Sequence, residues 1–173
     1  MVWTRLTADL VCLAYVLALG LRLRAGRWTP AARSCWIGGA LLLVVHVVTA
    51  YGEAHGWSHA AAVEHTRQET LRRTGWDSGV GIWLNFVTVA LWLAEAVRIA
   101  GLPAGPESQN GASRFASLAQ GWIAFMLVQS AIVFADAPLR WVALLAALLL
   151  LAFLAISWRR RNSLPSDGRP PAG

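Results

Sequence analysis

Residues His46 to Asp77 read HVVTAYGEAHGWSHAAAVEHTRQETLRRTGWD. All four histidines of the chain lie in this stretch: His46, His55, His59 and His65. Three of the five glutamates, Glu53, Glu64 and Glu69, lie there too. The flanks are of another kind. Before it runs ALLLVVHVV, and after it comes GVGIWLNFVTVALWLAEAV. A polar segment between two apolar runs of near-bilayer length reads as a surface segment joining two membrane helices. Ser58 to Arg73 contains good helix formers and no proline. It either extends the preceding helix or forms an amphipathic helix lying at the membrane surface.

The composition agrees with a membrane setting. Of 173 residues, 57% are hydrophobic and 14% charged, well below the charge of an ordinary soluble domain. The expectation is an all-α polytopic membrane bundle of about five transmembrane helices. The spans fall over about 4–21, 32–51, 79–99, 115–134 and 139–158, with the His/Glu-rich segment as a loop or interfacial helix over 52–78. Residues 1–161 make one membrane domain, and the Pro-, Gly- and Ser-rich residues 162–173 a disordered cytoplasmic tail. The first run ends in arginines, not in a small-residue cleavage site, so it is expected to be retained.

The net charge of +6 comes from arginine beside hydrophobic runs. That placement suits membrane topology and anionic headgroups, and it gives no basic patch for nucleic acid. Arg22, Arg24, Arg27, Arg33, Arg98, Arg114 and Arg159 to Arg161 collect on one side. Arg5, Arg67, Arg72, Arg73 and Arg140 collect on the other, offset by acidic residues. The first side is expected to be cytoplasmic. The N-terminus is then outside the inner (plasma) membrane, the C-terminus inside, and the His/Glu segment faces outward. Eight of the ten tryptophans, Trp28 and Trp36 among them, are expected near helix ends as an aromatic belt. Cys12 and Cys35 form no C-x-x-C pair, and both read as small buried hydrophobes.

This topology brings Asp9, His46, Asn85, Gln129 and Ser130 to one depth in the outer half of the membrane. Polar groups there either bond one another across helices or line a site. His55 and His59 stand four residues apart, a spacing that suits chelation on one continuous helix, although Gly56 between them can break it. His65 points elsewhere on such a helix. The candidate metal ligands are therefore His55, His59, His65, Glu53 and Glu64. His46, Asn85 and Asp9 are the candidate cofactor-binding groups beneath them, and the cofactor would be a transition metal or haem. No H-E-x-x-H motif is present, no catalytic residue is assigned, and bis-histidine haem would need a second ligand beyond His46.

The run HGWSHAAAVEHTRQET, followed by GWDSGVGIWLNF, resembles a signature of small bacterial integral membrane proteins. That resemblance implies that His55, Trp57, Ser58, His59, His65, Thr66 and Asn85 form a unit, and it brings no activity. Two functions stay open. One is a metal- or haem-binding redox role at the outer face. The other is a non-catalytic structural or assembly subunit of a larger membrane complex. Partners are the lipid bilayer and other membrane subunits or further copies of the chain.

Overall fold

The computed structural model describes residues 2–103 and 114–134, all of them helix or short connection. Five helices follow one another: α1 (Val2–Ala25), α2 (Pro30–His55), α3 (His59–Thr74), α4 (Gly81–Ala100) and α5 (Arg114–Phe134). Met1–Leu127 forms one compact unit, and Val128–Gly173 forms a second, of which the end of α5 is described.

The connections follow from local chemistry. Gly26 ends α1 in the left-handed conformation at φ 66°. Thr29 then caps α2, its hydroxyl accepting from the Ala32 N–H, and Pro30 takes the first helical position. So short a link makes α1 and α2 antiparallel neighbours. Gly52 does not interrupt α2, which runs to His55 and past the expected end near residue 51. Its missing side chain leaves room for the Trp57 indole, which a Cβ there would meet at 3.1 Å. The chain reverses at Gly56 and Trp57, with φ of 53° and 64°. Trp57 is the only non-glycine residue with positive φ among the described residues, and bonds from Gly56 N and Trp57 N to the Tyr51 carbonyl hold the turn. Ser58 opens α3 by accepting from Ala61 N, and Gly75 closes it. Asp77 does not cap α4 as expected, because Arg67 takes its carboxylate. Val80 sits at that N-cap without a side-chain bond.

The core lies where α1, α2 and α4 meet. Tyr15, Trp28, Trp36 and Trp92 pack as a chain of rings with centroids 5.4–5.8 Å apart. Edge-on and tilted contacts of this kind suit aromatic quadrupoles. Trp28 and Trp36 are buried here and do not join an aromatic belt. Gly39 makes the packing possible, since a Cβ on it would lie 2.8 Å from the Trp92 ring.

Among the described residues three helices are long and apolar enough to cross a membrane: α1, α2 and α4. This corrects the expectation of five. The helix expected over 115–134 exists as α5 but is not one of the three. It directs Gln120 and Trp122 to polar partners on other helices. The span expected over 139–158 and the tail over 162–173 lie outside the described residues. Helix α3, with its dense charge, is the surface element that the sequence allowed as an alternative to a longer α2.

Candidate functional site

The reversal at Gly56 and Trp57 decides where the histidines go. His55 ends α2 and His59 begins α3, so their four-residue spacing no longer places them on one helix face. His55 instead meets His65, ring centroids 5.2 Å apart. His59 turns to Tyr51, whose hydroxyl lies 3.0 Å from its Nδ1, with the two rings stacked. Trp83 and Phe86 of α4 complete the aromatic wall around His59. The result is a polar-aromatic end where α2, α3 and α4 converge. Among the described residues no group of three or more His, Cys, Asp or Glu is placed to hold a metal ion.

The candidate carboxylates are occupied within the chain. Glu53 accepts from the backbone N–H of Thr4 at 3.1 Å and from its hydroxyl at 2.8 Å, so it places an anion on the N-terminal turn of α1. Glu64 forms a two-pronged pair with Arg67 and accepts from Gln68. Arg67 extends its other face to Asp77, at 2.7 and 2.9 Å. Glu69 is shared between Arg72 and Arg73. Hydrogen bonds from Arg67 and Gln68 bring the Glu64 carboxyl down to about 2. Those from Arg72 and Arg73 lower that of Glu69. The bonds to Glu64 and Asp77 raise Arg67 in turn. These charges are mutually satisfied groups on a helix surface.

Lower in the bundle, His46 is tied to α1. Its Nδ1 lies 3.1 Å from both the Thr4 carbonyl and the Thr7 hydroxyl. Thr7 also donates to the Trp3 carbonyl, and Thr49 donates to the His46 carbonyl. Asp9 and Asn85 are exposed, and neither shares these bonds. Gln129 and Ser130 fall in the unit that begins at Val128. A cavity of about 150 Å³ between α2 and α4 is lined by Ile37, Ala40, Leu41, Leu93, Ala96, Val97 and Ala100, with no histidine to ligate haem.

A polar network that the histidine pattern drew attention away from lies at the opposite, arginine-rich end. Glu95 is fully buried and takes two 2.7 Å bonds from Arg98. Gln120 of α5 donates to the same carboxylate at 2.7 Å and accepts from Arg22 of α1. The Arg22 guanidinium also lies 4.7 Å over the Trp28 ring, in cation–π contact. Nearby, Trp122 donates to Thr88 at 3.0 Å. The signal was available in the sequence: a Glu and an Arg three residues apart in an apolar helix, with a lone Gln in the next.

Comparison of the chain with known protein families, with curated proteins and with solved structures finds no match.

Proposed function

We propose that the protein is a non-catalytic subunit of a larger membrane assembly, in which α1, α2 and α4 anchor α3 as a docking platform on the outer side of the plasma membrane. One observation carries this reading. The carboxylates that would serve as ligands or acid–base groups are already bound inside the chain: Glu53 to the start of α1, Glu64 and Asp77 to Arg67, Glu69 to Arg72 and Arg73. A reacting or metal-binding site keeps such groups free toward a shared centre. Here they stiffen a helix. Its outward positions Ala60, Ala61, Glu64, Gln68, Leu71 and Arg72 are exposed and mix small, apolar and charged groups, as the rim of an interface does.

A second reading has one observation in its favour. His55 and His65 face each other at 5.2 Å across the α2–α3 turn, close enough for both imidazoles to reach one divalent transition metal, with water in the remaining positions.

One set of measurements separates them. A photo-reactive residue at Gln68 in native membranes is expected to give a discrete adduct larger than the chain, and the purified protein to carry neither stoichiometric metal nor a Soret band. Stoichiometric zinc, copper or iron, lost in the His55→Ala/His65→Ala variant, would overturn the docking reading in favour of the metal one. Absence of any adduct at Gln68 would overturn it as well.

A further inference from the structure

Helix α1 buries Thr7, Val11, Tyr15 and Ala18 against its neighbours. The opposite face carries Arg5, Asp9, Cys12, Val16 and Gly20, spaced by three or four residues along one stripe, and all are exposed. Most of that stripe suits lipid, but Asp9 does not. It lies seven residues after Val2 in a span of 24, which puts it about 10 Å along a helix that must cross about 30 Å of hydrocarbon. No hydrogen bond or ion pair joins it to another described residue. A carboxylate at that depth, turned away from its own bundle, needs a partner of opposite charge.

The stripe supplies one itself. We propose that it is the interface between two copies of the chain, paired in parallel along α1. Membrane insertion gives both copies the same orientation, so their two-fold axis stands along the membrane normal and each stripe meets itself at equal depth. Arg5 lies one helical turn above Asp9 on the same face. In the pair, Arg5 of one copy reaches down to the partner's Asp9, and the reverse pair forms across the axis. Two cations and two anions then alternate around a closed contact. The face is self-complementary in charge, and this selects a second copy over an unrelated acidic or apolar helix. Cys12 and Gly20 are small, and no atom lies within 4 Å of where a Gly20 Cβ would stand, so the backbones can approach closely.

The test uses the full chain in native membranes with Cys35→Ala, which leaves Cys12 as its only thiol. Copper-phenanthroline oxidation is expected to give a disulfide-linked dimer through Cys12. Size-exclusion light scattering in a mild detergent is expected to give a two-chain mass. Asp9→Asn is expected to lower the association constant about tenfold, the loss of one interhelical polar pair. The charge-swapped Arg5→Asp/Asp9→Arg variant is expected to restore it, which a merely misfolded variant would not do. A monomeric mass with no Cys12 cross-link would overturn the proposal. So would a dimer indifferent to Asp9→Asn, or a Cys12 adduct with a different protein.

Discussion

Glu95 is the one carboxylate that the described residues bury completely, and it shows how a charge is kept inside this fold. Its two oxygens receive Arg98 in a two-pronged geometry and Gln120 from a third direction, so the desolvation cost is offset by several short, charge-assisted bonds. Replacing Glu95 by alanine takes away the acceptor that both donors share and leaves the Arg98 side chain, only 25% exposed, beside an apolar void. The expected loss is about 3 kcal/mol, the low end of what breaking a buried pair costs, because Arg98 retains some access to solvent. Thermal unfolding in detergent reads it, with Glu95→Gln expected to fall between wild type and Glu95→Ala. Equal melting of all three proteins would mean that the network adds nothing to stability. The histidines teach the opposite lesson at this scale. Spacing alone put His55 and His59 together and sent His65 away. Two residues of left-handed backbone, one of them a tryptophan, reversed both relations, and a positive φ at a non-glycine residue is not written in any local pattern.

Helices were the legible elements. Apolar runs placed α1, α2 and α4, and Thr29-Pro30, Ser58 and Thr74-Gly75 mark real caps or ends. The extent of α2 was less legible, since Gly52 reads as a breaker until the Trp57 ring is seen lying on it. Helix α3 is the element whose stability should answer to acid. Glu64 and Glu69 both titrate below the ordinary 4.5 in the folded chain, Glu64 at about 2. A depressed carboxyl contributes stability that is fully present above its unfolded value and is lost as pH falls through its folded value. Hydrogen exchange across α3 is therefore expected to be as slow at pH 5 as the intrinsic rate allows, and α3 to open between pH 4.5 and about 2. The Glu64→Gln/Glu69→Gln variant should lose that pH dependence. Opening that is complete between pH 7 and 5 would assign control to the histidines instead.

At the scale of the whole molecule, reducing five spans to three leaves the sidedness of α1 to α4 unchanged, because the two removed spans follow α4 in the chain. The arginine count can be repeated on the described residues alone. Arg22, Arg24, Arg27, Arg33, Arg98 and Arg114 stand at the end formed by the α1–α2 turn, the end of α4 and the start of α5. Arg5, Arg67, Arg72 and Arg73 stand at the other, and three of these are held in ion pairs with Glu64, Glu69 or Asp77. Arg33 also donates to the carbonyls of Leu102 and Pro103, which draws the end of α4 to the same side as the start of α2. The positive-inside bias then puts the α1–α2 turn in the cytoplasm and α3 outside. A variant with both native cysteines replaced and a single thiol introduced by Gln68→Cys is expected to react with a membrane-impermeant maleimide on intact cells. One introduced by Ala25→Cys is expected to react only after the membrane is opened. The reverse pattern would place α3 in the cytoplasm and remove the outer docking surface. It would leave the α1 pairing untouched, since two copies inserted the other way up still meet stripe to stripe at equal depth.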